Sequence, residues 1–404
     1  MEPIKTIKSN VIRKRPGQHK RYATGFKYQQ DPTFFAQIAN DLIKEGEVEL
    51  KELGALDVTP SFRGIFFKAE KDVFYRINYQ TRLFSRILAP LTSFTCKDTD
   101  ILYREAKKIK WENLFKKKST FAITSNVSDS EEITHSQYAG LRLKDAIADY
   151  FRERTGKRPD VNTLNPDVMI NLHIRKETAD ISIDASGGAL HRRGYREESI
   201  TAPMQETIAA AIINLSKWDG TRPLYDPMCG SGTLLCEALM HQCRIPAGIF
   251  RQRFGFEILP DFNPELWDQV KKGADAKIIP IEKGLIAGSD IAPESVNAAR
   301  TNLMGIHHGG QVPIFTQDFR DIEILEDTTI VANPPYGIRM GKESDLKAFH
   351  REFGDFLKQK CKGSSAYIYF GDPIYASHMG LKATWKRPLK AGGLDGRLVR
   401  YDMY

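Results

Sequence analysis

The sequence predicts an α/β fold: an open sheet of strands alternating with helices in the C-terminal half, preceded by an α+β region. Two observations carry this expectation. From Leu224 onward, short apolar runs alternate with helical stretches, and the runs end at polar residues, Asp226, Asp290, Asp318 and Asn333. Open α/β sheets bind ligands beyond the carboxyl ends of their strands, so acids and amides gathered there mark a site. The length points the same way, because 404 residues exceed one ordinary core when domains run about 100 to 200 residues.

Composition narrows the partners. A net charge of +8 and a pI near 9.0 suit a polyanion. The five cysteines, at 96, 229, 236, 243 and 361, form no CxxC pair, so neither a disulfide framework nor a metal site is expected. Cys229, Cys236 and Cys243 recur every seven residues, the spacing of one helix face, and read as small buried residues. No apolar run approaches the roughly 20 residues of a membrane span. The N-terminus carries scattered lysines rather than a signal sequence, so a cytoplasmic protein is expected.

Residues 1–20 read as a flexible basic arm. In residues 21–69 the pattern is a strand at Tyr22–Thr24, then a helix starting at Asp31-Pro32 with Phe34, Phe35, Ile38, Leu42 and Ile43 on its apolar side, then a strand at Gly64–Lys68. Residues 70–185 begin with a helix from Asp72 that runs into a strand at Ile87-Leu88, closed by Pro90. A helix over 101–109, a strand at Thr120–Thr124 and a long helix from Ser136 to Phe151 follow. Two alternating strands, Val168–Ile174 and Ala179–Asp184, end this region. Arg142, Lys144 and Arg158 form a basic face that reads either as a track for a phosphate backbone or as a solvated surface.

The remaining residues, 186–404, hold a connector and lead-in helix over 186–220 and then the site. In the connector, Arg192, Arg193, Tyr195 and Arg196 combine charge with a stacking face beside flexible glycines, suiting an RNA-facing hinge; the alternative is a hairpin with solvated arginines. The lead-in helix opens near Pro203, with Ser199 or Thr201 as its cap, and runs to Leu215.

Asp226-Pro227-Met228-Cys229-Gly230-Ser231-Gly232-Thr233 lies between a short strand and a helix, the arrangement that turns backbone N–H groups toward a ligand. It is not a phosphate-binding P-loop, since no lysine precedes Thr233. Nor does it fit a dinucleotide loop, because Leu235 stands where the third glycine belongs. An acid at Asp226 would repel a phosphate and welcome an ammonium. S-adenosylmethionine carries such an ammonium, with a carboxylate for the N–H-rich loop. Asp290, ending the next strand, is placed for ribose hydroxyls, and Asp318, ending the third, for the adenine amino group, with Phe319 packing on the ring. Met228, Gly230, Gly232, Thr233 and Ile291, together with Asn333 further along the chain, complete the expected cofactor contacts.

After the apolar strand Thr329–Ala332 comes Asn333-Pro334-Pro335-Tyr336-Gly337. A nucleobase amine is a poor nucleophile because its lone pair is delocalised into the ring. The Asn333 side-chain oxygen and the Pro334 carbonyl would accept its hydrogens, the two prolines would fix the backbone, and Tyr336 would stack the base.

Two resemblances are carried by these residues. Ser85–Leu91, the stretch from Leu102 to Trp111, Lys144–Ile147 and Arg158–Val161 resemble a THUMP module, which implies a structured RNA as partner. With the connector and the Asn-Pro-Pro-Tyr-Gly form, the chain from about Arg21 resembles bacterial THUMP-containing guanine-N2 methyltransferases acting on large-subunit (23S) rRNA. That resemblance implies a Rossmann-like class I methyltransferase domain with a mixed seven-stranded sheet, preceded by a ferredoxin-like part and the THUMP region. It also implies contacts to the methyl donor from Thr201 and Gln205, and an aromatic insertion from Phe254 to Trp267 ahead of Asp290. A tRNA guanine-N2 enzyme, an adenine-N6 enzyme and an inactive RNA-binding assembly factor stand as alternatives.

Overall fold

The computed structural model describes residues 25–198, 204–335 and 343–404. Its N-terminal half comprises α1 (Lys27–Gln30), β1 (Thr33–Gln37), α2 (Ile43–Glu52), β2 (Leu56–Ser61), β3 (Gly64–Lys68), α3 (Lys71–Gln80), β4 (Arg86–Thr95), α4 (Thr99–Ala106), β5 (Thr120–Ser128), α5 (Ser136–Thr155), β6 (Asp160–Val161), β7 (Val168–Arg175) and β8 (Thr178–Asp184). These strands form one eight-stranded sheet in the order β2-β3-β1-β4-β8-β7-β5-β6. The alternating pair read from the sequence is the antiparallel β7–β8 hairpin, with Ile170 opposite Ile183. The long helix ends at Gly156, whose φ of 70° favours a residue without a Cβ.

Two local expectations are corrected. The segment after Asp31-Pro32 is the strand β1: Phe34 and Ala36 are buried while Phe35 faces the other way, and the helix starts only at Ile43. Phe34 and Phe35 lie on opposite faces because strand side chains alternate; Phe34 stacks on Phe74 at 4.1 Å between centroids. Pro90 does not close β4 but sits inside it. The pairing of β4 with β8 shifts register between Pro90 and Thr92, and such a bulge tolerates a residue with no N–H to donate. Tyr22–Thr24 lies outside the described residues.

The C-terminal half comprises α6 (Glu206–Ser216), β9 (Leu224–Asp226), α7 (Thr233–Gln242), α8 (Pro264–Asp275), β10 (Ile286–Asp290), α9 (Pro293–Met304), β11 (Ile314–Thr316), β12 (Thr329–Ala332), α10 (Glu343–Lys360), β13 (Ser365–Phe370), β14 (Trp385–Pro388) and β15 (Arg397–Asp402). They build a seven-stranded sheet in the order β11-β10-β9-β12-β13-β15-β14. β11, β10, β9, β12 and β13 run parallel, and β15 is antiparallel to both β13 and β14. The chain winds one way from β9 to β10 and the other from β12 to β13. This reversal opens a crevice beyond the carboxyl ends of β9 and β12, the place where such sheets bind ligands. Asp226 and Asn333 stand on either side of it.

One large core cluster spans both halves. The insertion between α7 and β10 supplies the contact: Tyr75 of α3 stacks on Phe256 at 4.6 Å, and Tyr79 meets Trp267 edge-on at 5.3 Å. A second cluster, around Phe319, Phe353 and Ile368, fills the space beneath α10. No helix among the described residues is long and apolar enough to cross a membrane.

Candidate active site

The loop between β9 and α7 is shaped by its glycines. Gly230 and Gly232 have φ of 53° and 78°, and a Cβ on Gly232 would come within 3.1 Å of Ala299. The loop N–H groups are partly committed: Gly232 donates to the Cys229 carbonyl at 2.8 Å and Cys229 to the Ser289 carbonyl at 2.9 Å. Cys229, Cys236 and Cys243 are all buried thiols, as their spacing suggested.

Asp226 is 1% exposed and accepts one hydrogen bond, from the Met228 N–H at 3.0 Å. Burial drives its carboxyl well above the usual range; the Met228 bond opposes this and the Asp290 charge adds to it. No cation pairs with it among the described residues, so a ligand ammonium arriving there would relieve a buried acid. Asp290 accepts from Gly230 N–H at 2.9 Å and from Ala292 N–H at 3.0 Å, which ties the end of β10 to the loop. Ile291 beside it is 66% exposed, an apolar surface next to a polar strand end.

Asp318 accepts from the Arg320 N–H at 2.9 Å and from its guanidinium at 2.8 Å. Each carboxylate oxygen has a second lone pair, so acceptor capacity remains for an amine. The role expected of Phe319 is corrected. Its ring is 3% exposed and meets Phe349, Phe353 and Phe356 edge-on at 5.2 to 5.6 Å, while the Arg320 guanidinium lies 4.7 Å from its centroid. Its surfaces are occupied, leaving no face for a ligand ring.

Across the crevice, β12 is wholly buried and delivers Asn333 at its end. The Asn333 Oδ1 atom is buried without a hydrogen-bond partner among the described residues. An unsatisfied buried acceptor costs about 1–3 kcal/mol, a cost that a bound N–H donor would remove. Pro334 is buried and Pro335 half-buried, and a proline directly after Asn333 disfavours the helical region for its backbone. Tyr336, and the cap candidates Ser199 and Thr201, lie outside the described residues. The helix cap is Gln205, whose side chain makes no cap bond; it lines a cavity of about 390 Å³ with His191, Arg192, Arg196, Met204 and Glu206.

The connector is corrected in two respects. It is pinned rather than hinged: Arg251 donates to the carbonyls of Ser186, Gly188, Ala189 and Arg192 at 2.8 to 3.3 Å, and a Cβ on Gly187 would sit 2.7 Å from the Gly255 nitrogen. Further, Arg193 and Tyr195 are 1% and 3% exposed and both bond Glu237, so neither offers a surface to RNA. Arg196 is also drawn inward, onto Glu206 at 2.9 Å. These acids lie ten to 44 residues away in the chain, a separation that pattern reading does not bridge. Only Arg192 of the four is exposed. On α5, Arg142 pairs with Asp100 at 2.6 Å and covers the Tyr103 ring at 4.4 Å, and Lys144 pairs with Asp145. Arg158 is exposed beyond the helix end.

Comparison with known proteins bears on this geometry. The RMKL-like methyltransferase domain matches residues 193–400, the THUMP domain residues 96–184 and the RlmL ferredoxin-like domain residues 46–88. The chain belongs to the RMKL-like methyltransferase family. The Synechocystis protein slr0064 is 36% identical over 372 residues, covering 92% of this chain and 97% of its own. The ribosomal RNA large subunit methyltransferase K/L of Syntrophotalea carbinolica is 35% identical over 369 residues, covering 88% of this chain. This chain spans about half the length of the K/L relatives, 51% in that case. Among solved structures, SMU.472 complexed with S-adenosylhomocysteine (SAH) superposes with a TM-score of 0.79 at 26% identity, over 92% of this chain and 98% of that one. The chain is a class I methyltransferase, and S-adenosylmethionine is the donor this family uses.

Proposed function

We propose that this protein transfers a methyl group to the exocyclic N2 amine of a guanosine in large-subunit rRNA. The observation that carries the reading is the buried, unpartnered Asn333 Oδ1 at the switch point, opposite the buried acid Asp226. When bound, S-adenosylmethionine supplies an electrophilic methyl group on a sulfonium. Asp226 would accept its ammonium, and the N–H groups of Ser231 and Thr233 would face its carboxylate, since those of Met228, Cys229, Gly230 and Gly232 already donate within the protein; Asp290 would take the ribose hydroxyls and Asp318 the adenine amine. Ile291 provides the apolar wall beside the ring. Asn333 Oδ1 and the Pro334 carbonyl draw on the hydrogens of the acceptor amine, localising its lone pair toward the incoming methyl. No carboxylate base is needed, because the amine becomes acidic as it is methylated. Positioning carries most of the rate.

The choice of rRNA is supported by the names of the K/L relatives and by the matched THUMP domain over 96–184. We assign residues 70–185 to RNA binding, with Arg142, Lys144, Arg158 and the exposed Arg192 as phosphate contacts. An amide followed by two prolines would also hold the N6 amine of adenine, which is the second reading. Incubation with labelled S-adenosylmethionine and unmodified 23S rRNA, tRNA or duplex DNA separates these readings. Label entering 23S rRNA is expected; label entering only tRNA or DNA overturns the assignment.

A further inference from the structure

The side chain of Arg196 carries the connector directly onto the donor loop. Arg196 is 16% exposed and its partner Glu206, at the start of α6, 9%. Its Nε and Nη2 donate to Glu206 Oε1 at 3.1 and 2.9 Å, and Nη2 also to the Met204 carbonyl at 3.2 Å. The same fork reaches into the loop: Nη1 donates to Ser231 Oγ at 3.2 Å and Nη2 to Thr233 Oγ1 at 3.1 Å. The backbone of the two residues that follow Arg196 is tied to the same loop through Asn302. Asn302 of α9 accepts from the N–H groups of Glu197 and Glu198 at 2.9 and 3.1 Å and donates to the Ser231 carbonyl at 3.0 Å.

Upstream, the connector holds α7 again. Arg193 and Tyr195 meet Glu237, one turn beyond Thr233, and Arg193 Nη2 donates to the Arg82 carbonyl at 2.6 Å. Arg82, from the N-terminal half, donates to the carbonyls of Met240 and Ile245 at 2.8 and 2.6 Å, at the far end of α7. The helix that presents the loop is therefore held at its start, middle and end by groups belonging to the connector or to the RNA-binding half.

We propose that Arg196 is a positioning residue for the methyl-donor loop, fixing Ser231 and Thr233 against α6 so that the loop is set by the connector before the donor arrives. The proposal rests on the reading of Asp226–Thr233 as the donor loop. A planar guanidinium offers five donors in a fixed fork; an ammonium on a flexible stem does not span Glu206, Ser231 and Thr233 at once. Arg196→Lys keeps the charge and so isolates the geometry.

The test is calorimetric titration of the full-length chain with SAH, which reads binding rather than turnover. Binding by the wild type checks the donor-loop reading; failure there sinks that reading and not the proposal alone. Given wild-type binding, Arg196→Lys is expected to weaken SAH at least fivefold, as is Ser231→Ala/Thr233→Val, which leaves the Arg196–Glu206 pair intact. Adding Arg196→Lys to that double variant should cost less than a further twofold, because the contact is already gone. The exposed control Lys272→Ala should leave affinity unchanged. A folded Arg196→Lys within fivefold of wild type, or multiplicative losses in the combined variant, overturns the proposal. Should Arg196→Lys fail to fold, Arg196→Gln takes its place, alone and on the Ser231→Ala/Thr233→Val background, and is read by the same fivefold and twofold criteria.

Discussion

Replacing Glu237 by Gln tests the buried joint between the connector and α7. The Glu237 side chain is 0% exposed and that of Arg193 1%, with 3.3 Å between Nε and Oε1. At that separation, and at an effective dielectric near 20, the attraction is about 5 kcal/mol. Gln retains one acceptor oxygen for Tyr195 or Arg193, so part of the hydrogen bonding survives. What remains is a guanidinium buried beside the half-buried Arg82, without its counter-charge. Removing one partner of a buried pair costs about 3–5 kcal/mol, and the surviving acceptor places the expectation at the lower end, about 3 kcal/mol. Urea unfolding followed by tryptophan fluorescence reads this directly, since Trp218 and Trp267 are buried in this half. Glu153→Gln, in an exposed pair with Lys107, should be near neutral. Arg193→Met/Glu237→Met should recover at least half of the loss, because both charges leave together. A loss below about 1 kcal/mol for Glu237→Gln would refute the view that this pair is uncompensated once one charge is removed.

Other consequences concern chemistry, pH and salt. Asn333→Ala should lower kcat by about 100-fold or more while SAH affinity stays within a few-fold, since the contact is made to the acceptor; a collapse of SAH binding would move Asn333 to the donor side. His241 is held down to about 4 from 6.5 by burial and then by the Arg82 charge. Its folded pKa lies below the unfolded one, so the unfolded chain takes up the proton first. Stability is therefore full above pH 6.5 and falls as the pH drops toward 4, by about 3 kcal/mol in all. His241→Gln should flatten that acid limb in denaturation curves, and an unchanged limb would assign it to other groups. Arg158→Ala/Arg192→Ala removes two exposed cations that make no ion pair among the described residues. It should reduce the slope of log affinity for RNA against log salt by about 1.5 to 2; an unaltered slope would remove both from the interface.

The sheet that carries the site was legible because its signals are local. A strand, a glycine turn and a helix occupy one short stretch from Leu224 to Gln242, and each polar strand end follows directly on an apolar run. Phe34 and Phe35 misled because two adjacent aromatics satisfy a helical stripe as readily as a two-faced strand over so short a run. Pro90 read as a terminator, since nothing local announces the bulge that accommodates it. The connector failed for a deeper reason. Arg193, Tyr195 and Arg196 look like solvated or RNA-seeking groups until Glu206 and Glu237 are folded against them. Phe319 illustrates the same limit, because its neighbours Phe349, Phe353 and Phe356 arrive on α10, some 30 residues later. Residue type and spacing reveal what a backbone segment will do; long-range pairing decides which side chains are left free for a ligand.

The central claim is that Asn333 holds a guanine N2 amine against the methyl donor. Nucleoside mass analysis of unmodified large-subunit rRNA, incubated with the protein and isotopically labelled S-adenosylmethionine, tests it most directly. The account predicts labelled N2-methylguanosine with wild-type protein and its loss with Asn333→Ala. Label recovered in N6-methyladenosine, or N2-methylguanosine persisting at wild-type rate in Asn333→Ala, would contradict it.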